Sequence, residues 1–152
     1  MTITLDIPCK PFSVNAMYGK KRFKTTQARD WSYQVFHILN KIENTRKMAS
    51  FRNSFDPQTM AIEVCLTFYF PKDILITKSG MISGRAFDVS NMEKCIIDLI
   101  FDKKYFDKDP PYGCENLCLD DKYIISMNSK KRIGDDFLMK VELNTVPLEN
   151  VY

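Results

Sequence analysis

Two short stretches of the chain carry side chains suited to binding a metal ion and a phosphate. The first, residues 88–94, places a carboxylate, an amide and an ammonium group before an apolar segment that predicts a helix. The second is the pair Asp120 and Asp121, directly before a predicted strand. Mg²⁺ takes oxygen ligands, usually a few carboxylates with water and a substrate phosphate. These residue types are therefore those of metal-assisted phosphodiester cleavage.

Both stretches also have a purely structural interpretation. Ser90 and Glu93 have the spacing of a capping box, in which a serine at the start of a helix and a glutamate three residues later satisfy free backbone N–H groups. Adjacent aspartates are common in turns. From residue types alone, the metal site and the structural interpretation both remain open.

Basic residues are concentrated in two clusters, although the net charge is only +3. They are Lys20, Lys21, Arg22 and Lys24 in the first cluster, and Lys130, Lys131 and Arg132 in the second. Such clusters can neutralise the phosphates of a nucleic acid. The rings of Tyr18, Phe23 and Tyr33 near the first cluster could stack on bases. Solvated loops and the edge of the core explain the same residues, so charge alone does not decide.

The composition predicts a single globular domain spanning residues 1–152. Hydrophobic residues make up 45% of the chain and charged residues 27%, which is ordinary for such a domain. Five cysteines without a signal peptide predict a reducing, cytoplasmic compartment. No apolar run reaches the ~18 residues of a membrane helix. Cys114 and Cys118 have a spacing that zinc could use, but a structural zinc site needs four ligands and His37 is the only histidine.

Alternation and helical periodicity predict the elements that position these residues. Ile3, Leu5 and Ile7 alternate with polar residues in a first strand, and residues 60–70 alternate in a stronger one. A first helix starts near Thr25 or Thr26. Its apolar face is predicted to hold Trp31, Val35, Ile38, Leu39 and Ile42.

The second half predicts one more helix and two more strands. The helix starts after Ser90, which serves as its N-cap, and presents Cys95, Ile96, Leu99 and Ile100. Residues 123–127 and 137–143 predict two strands that form a hairpin through Gly134 and Asp135. Residues 53–58, 72–86 and 102–119 are predicted connections. The fold class is therefore α/β (α+β): a mixed β-sheet with two main helices.

Three stretches, in order along the chain, resemble the RusA-type Holliday-junction resolvase family of bacteria and their phages. Residues 11–18 (PFSVNAMY) resemble the family's Pro-Ser-Val-Asn-like segment. Residues 88–94 (DVSNMEK) resemble its Asp-x-Asp-Asn-x-x-Lys motif, with Asp98 following in the same helix as an aspartate often does. Residues 119–124 (LDDKYI) resemble its Asp-Asp-x-x-Ile segment. The ordered combination covers most of the chain.

The resemblance implies a small homodimeric endonuclease that binds four-way DNA junctions and cuts opposed strands with Mg²⁺ or Mn²⁺. It implies that Asp88 and Asp121 are catalytic metal ligands, that Asp120 is a neighbouring acid of the metal site and that Lys94 is the functional lysine. Asn91 matches the motif asparagine, which orients the loop. The two basic clusters would hold the junction arms by their phosphates.

Two departures from the family pattern keep other functions open. Ser90 stands where many members have the second motif aspartate, so the metal site loses a formal negative charge. The 102–119 connection is longer than usual and carries Lys103, Lys104, Tyr105, Phe106 and Lys108 as further DNA contacts. The alternatives are a junction-binding protein with weakened cleavage, and a phage module that acts on a host protein.

Overall fold

The computed structural model describes residues 1–19, 24–102 and 116–151. They form a mixed α+β fold with one four-stranded sheet and four helices. In chain order the elements are β1 (Thr2–Ile7), α1 (Thr26–Leu39), α2 (Ile42–Ser54), β2 (Met60–Pro71), α3 (Lys72–Leu75), α4 (Val89–Phe101), β3 (Ile124–Gly134) and β4 (Leu138–Pro147). The predictions made for Lys20, Lys21, Arg22 and Phe23, and for residues 103–115, lie outside the described residues.

The sheet has the order β1-β4-β2-β3, so the predicted hairpin between the last two strands is wrong. β4 lies antiparallel between β1 and β2, and β3 lies parallel to β2 on its other side. Residues 135–137 therefore cross the end of β2. The crossing is tight, because a Cβ on Gly134 would lie 3.1 Å from the Cβ of Tyr69. A short Gly-Asp connection resembles a hairpin turn locally, and only the pairing with β2 distinguishes the two.

One face of the sheet packs against the helices and forms the core. Ile3, Leu5 and Ile7 of β1 are buried as predicted, with the alternate residues of β2 from Ile62 to Phe70. The inward residues of β4, such as Val141, join the same apolar cluster as the helices. The predicted alternation of β1 and β2 is thus confirmed, whereas β3 begins at Ile124 and continues to Gly134, past the predicted end at residue 127. Because side chains alternate along a strand, the other face carries mainly polar residues.

The first predicted helix is two helices in the structure. Thr25 is the N-cap, and its hydroxyl accepts a hydrogen bond from the backbone N–H of Ala28 at 3.2 Å. The four predicted residues from Trp31 to Leu39 are buried. The prediction for Ile42 is wrong: α1 ends at Leu39, and Ile42 begins α2 with 68% of its surface exposed.

Helix α2 was not predicted, because its apolar signal is weak. Only Asn44, Met48 and Phe51 are buried in it. The buried amide of Asn44 donates to the carbonyl oxygen of Ile38 at 3.0 Å, which ties α2 to the end of α1. Because α2 continues to Ser54, it also takes up part of the predicted connection at residues 53–58.

Helix α4 buries the four residues predicted for it, from Cys95 to Ile100. It begins at Val89, before the predicted start, and the predicted connection at residues 72–86 contains the short helix α3. The amide of Asn116 donates to the carbonyl oxygens of Leu99 at 3.1 Å and Asp102 at 2.8 Å. These bonds satisfy carbonyls that the end of a helix leaves without partners.

Within the described part of the chain, no helix combines the length and the apolar character required to cross a membrane.

Candidate active site along helix α4

Four polar residues at the start of α4 and along it lie on one face of the helix. Asp88, Asn91, Lys94 and Asp98 follow one another at spacings of three or four, which places them on the same side of a helix. Two 3₁₀ turns pack against α4: Val14–Ala16 from the amino-terminal segment, and Asp121–Tyr123 before β3. The three stretches that resemble the resolvase motifs therefore meet along one helix, although they are far apart in sequence.

The amino-terminal segment is held in place by its contacts with α1. The indole N–H of Trp31 donates to the carbonyl oxygen of Lys10 at 2.9 Å, and the Trp31 ring stacks on Phe12 with the centroids 5.5 Å apart. The hydroxyl of Thr25 donates to the carbonyl oxygen of Ala16 at 2.8 Å. These contacts fix both ends of the turn that faces α4.

A polar pocket of about 330 Å³ lies at the start of α4. Its polar lining residues are Ser13, Asn15, Ser83, Asp88, Asn91 and Lys131. Ser13 and Ser83 are buried, and their hydroxyls accept backbone N–H bonds from Asn15 and Arg85. Each hydroxyl keeps its own hydrogen to donate. The pocket thus combines one carboxylate and one ammonium group with amide and hydroxyl groups.

The start of α4 differs from the predicted capping box. Asp88 is the N-cap, and its carbonyl oxygen accepts from the N–H groups of Asn91 at 3.1 Å and Met92 at 3.3 Å. Its carboxylate makes no capping hydrogen bond. Ser90 is exposed and already inside the helix, so the prediction that it caps the helix is wrong. Helical backbone begins one residue before Ser90, which removes the geometry of a cap.

Lys94, Asp98 and Asp121 form a second group farther along α4. The ammonium group of Lys94 pairs with the carboxylate of Asp98 at 3.2 Å, and the hydrogen bond and charge of Asp98 raise the pKa of Lys94. Asp121 also raises the pKa of Lys94 through its charge, as does Tyr18. Given a rise of about 1.5 Å per residue, the backbones of Lys94 and Asp98 lie roughly 9 Å and roughly 15 Å from that of Asp88 along the helix axis.

Burial and pairing act in opposite directions on Asp98. Burial raises the pKa of its carboxyl group above the ordinary value, the pair with Lys94 lowers it, and the charges of Asp102 and Asp121 raise it further. The net shift is upward, because only 29% of the Asp98 side chain is exposed whereas Lys94 is largely in water. The ionised carboxylate of Asp98 is therefore destabilised by burial and by the nearby acids Asp102 and Asp121.

Asp120 has a structural task at the turn before β3. Its carboxylate accepts the backbone N–H of Lys122 at 3.0 Å and pairs with the Lys122 ammonium group at 3.4 Å. The hydrogen bond from the backbone of Lys122 is the main reason that the pKa of Asp120 is lowered. Asp121, by contrast, is the first residue of the turn that packs on α4.

The second basic cluster lies on β3 and is divided between the two faces of the sheet. In the parallel register of β2 and β3, Lys131 lies opposite Phe68, whose side chain is buried on the helix-facing side. Lys131 also lines the pocket. Lys130 and Arg132 lie opposite Thr67 and Tyr69 in the same register and face the side of the sheet away from the helices. Of the first cluster, the described residue is Lys24, which forms a bridge with Tyr18 and is half-buried.

The donor set at the pocket fits a hard divalent cation. Asp88 supplies a carboxylate, and Asn15 and Asn91 supply amide oxygens, which are the ligand types that Mg²⁺ prefers. Among residues 1–19, 24–102 and 116–151, no three His, Cys, Asp or Glu side chains are grouped closely enough to share a metal ion. Mg²⁺ needs fewer, since it is commonly held by one or two carboxylates with substrate phosphates and water.

Sequence reasoning missed two features of the pocket. Neither the place of Ser83 in the pocket was predicted, nor that Lys131 faces the pocket while its neighbours Lys130 and Arg132 face away. Ser83 lies in a segment predicted as a plain connection, and nothing in its sequence marks it. For Lys131 a signal existed: residues alternate along β3, so the middle residue of a basic run faces away from its two neighbours.

Comparison with known proteins adds no relative: the chain matches no protein-family model and no curated protein.

Proposed function

We propose that this protein is a Mg²⁺-dependent endodeoxyribonuclease that cuts four-way and related branched DNA junctions, as the RusA-type resolvases do. The observation that carries the proposal is the meeting of the three motif-like segments on the polar face of α4. Nothing in their sequence separation requires residues 11–18, 88–94 and 119–124 to lie together. A shared catalytic site gives a reason for it.

In this proposal the carboxylate of Asp88 holds the metal ion with the amide oxygen of Asn91 beside it, and Asp121, near Lys94, is the second acid that the resemblance assigns to the metal site. Bound Mg²⁺ or Mn²⁺ would activate water and screen the charge of the scissile phosphate. Lys94 stabilises negative charge near Asp121. Asp98 orients Lys94 through their ion pair, so it acts as a positioning residue. Asp120 shapes the turn that presents Asp121.

The proposed substrate and assembly follow from the same likeness. Phosphate contacts position a protein on DNA without reading its sequence, so selectivity would come from the branched shape. A four-way junction presents two related strands, and a homodimer with two-fold symmetry matches them. A cytoplasmic location suits an enzyme that acts on recombining or repaired DNA.

The test is a comparison of a labelled four-way junction with a linear duplex of equal length. We expect the purified protein to cut the junction when Mg²⁺ is present, to leave the duplex intact, and to bind the junction more tightly as salt is lowered. Equal binding of both DNAs, or binding of neither at low salt, would reject the proposal in favour of a protein-interaction module.

The second candidate is a junction-binding protein that cleaves weakly or not at all. The observation that favours it is Ser90, a neutral side chain exposed on the first turn of α4 in place of an acid. Selective junction binding without cutting at any Mg²⁺ or Mn²⁺ concentration would establish this candidate.

A further inference from the structure

Lys131 is the basic residue of the pocket at the start of α4. The parallel register of β2 and β3 sets it on the helix-facing side of the sheet, beside Phe68. Its ammonium group donates to the carbonyl oxygen of Ala86 at 3.5 Å, and Ala86 lines the same pocket as Asp88. A lysine ammonium has three donors, so two remain for a ligand.

The charge of Lys131 is not neutralised within the described residues. The ion pairs of that part of the chain involve Lys47, Lys94 and Lys122, and no acid lies within ion-pair distance of Lys131. Lys131 is nevertheless half-buried. Partial burial of an unpaired ammonium group is unfavourable, so an anion in the pocket would stabilise it.

Lys94, the lysine of the motif, is arranged differently. Its ammonium group is engaged by Asp98 at 3.2 Å, and it does not line the pocket. Two lysines thus lie at two positions along α4. Lys94 is near Asp121, and Lys131 lines the pocket that contains Asp88.

The start of α4 adds to the positive potential around Lys131. The backbone N–H groups of Val89 and Ser90 have no acceptor within the helix, and the Asp88 side chain does not cap them. The amino end of a helix carries a partial positive charge that favours anions. The carboxylate of Asp88 opposes it, and a metal ion on Asp88 would reverse that contribution.

We propose that Lys131 binds a phosphodiester oxygen of the DNA strand held against Asp88, and that it is the phosphate-binding residue of this pocket. The inference rests on the proposed nuclease function and deepens it. It divides the basic run on β3 by role, since Lys130, one residue earlier, lies on the other face of the sheet.

The test compares Lys131→Met with Lys140→Met, which removes the same charge from a half-buried lysine outside both basic clusters, on the other face of the sheet. We expect Lys131→Met to slow single-turnover cleavage of the junction by roughly 100-fold, as the loss of one transition-state donor does. For junction binding, the slope of the logarithm of affinity against the logarithm of salt concentration should fall by about one, which corresponds to the loss of one phosphate contact. Lys140→Met should match the unmodified protein in cleavage, and Lys131→Arg should retain most binding. Thermal unfolding of each variant checks the fold.

The outcomes separate this inference from the proposed function. If Lys131→Met cuts normally while Asp88→Asn does not, the nuclease stands and the role of Lys131 is rejected. Equal losses from Lys131→Met and Lys140→Met would also reject it, because the loss would then follow from the charge alone and not from the position of Lys131 in the pocket. If the unmodified protein binds junctions without cutting, the salt dependence of binding tests the role of Lys131: an unchanged slope in Lys131→Met rejects that role. If it binds no junction, the proposed function fails and the inference fails with it.

Discussion

Ser90 is the residue at which sequence and structure differ most directly. Replacing a helix-capping serine by alanine lowers the free energy of unfolding of a protein by about 0.5–2 kcal/mol. Because Ser90 lies inside α4, and alanine is the better helix former, we expect Ser90→Ala to leave the free energy of unfolding unchanged or raise it by up to about 0.5 kcal/mol. Urea denaturation measures this.

Thr25→Ala is the matched control for Ser90→Ala, because the Thr25 hydroxyl does cap a helix. It should cost about 0.5–2 kcal/mol. A comparable loss for Ser90→Ala would contradict the position assigned to Ser90. Junction cleavage by Ser90→Ala should also be unchanged, and a stable but inert variant would show that the hydroxyl takes part in the reaction.

Asp98 should make stability depend on pH. Its pKa is raised in the folded protein, mainly by burial, so the folded state binds the proton more tightly than the unfolded chain. Stability from this group is therefore greatest at low pH and is lost as pH rises from the ordinary value of 3.8 through the raised pKa. Asp98→Asn removes the effect.

Chemical denaturation of both proteins at a series of pH values tests this assignment. Relative to the unmodified protein, Asp98→Asn should become more stable as pH rises through that window. A constant difference, or one that changes the other way, would mean that the ion pair with Lys94 outweighs burial.

The crossing from β3 to β4 is the element that fixes the order of the sheet. Gly134→Ala would bring a new methyl group to 3.1 Å from the Cβ of Tyr69 and 3.3 Å from the carbonyl oxygen of Asp136. Overpacking of this kind typically costs about 1–3 kcal/mol. Gly84→Ala is the matched control, because nothing lies within 4 Å of its added Cβ, and it should change stability by less than about 0.5 kcal/mol.

Thermal or urea unfolding of the two glycine variants gives the comparison. If Gly134→Ala is as stable as Gly84→Ala, the connection is not constrained by Tyr69, and the close crossing over the end of β2 would need to be revised.

Local patterns predicted the individual elements better than their arrangement. Alternation located β1 and β2, and the Thr25 cap and the buried residues from Trp31 to Leu39 located α1, because these signals depend on neighbours in the chain. The order β1-β4-β2-β3 depends on pairings between distant residues, which a Gly-Asp turn does not encode. Helix α2 was missed because few of its residues are buried.

The molecule as a whole brings together segments that the sequence marked only one by one. The three motif-like segments were recognised separately, and the structure brings them to one helix. It also divides the predicted residues into a pocket containing Asp88 and a second group containing Lys94 and Asp121. Spacing along the chain could not give that division, because it depends on how the two 3₁₀ turns pack on α4.

Asp88 connects the pocket, the motif and the proposed chemistry, so its replacement is the sharpest test of the proposed nuclease. Asp88 is exposed and its side chain does not cap α4, so Asp88→Asn should fold normally and still bind a four-way junction. Asp6→Asn is the matched control, because Asp6 is an exposed acid on the sheet face away from the helices.

The measurement is the rate of Mg²⁺-dependent cleavage of a labelled four-way junction by the unmodified protein and by both variants. We expect the unmodified protein and Asp6→Asn to cut the junction at similar rates, whereas Asp88→Asn should bind it without cutting. Cleavage by Asp88→Asn at the normal rate would overturn the proposed active site, because the reaction would then not take place at the start of α4.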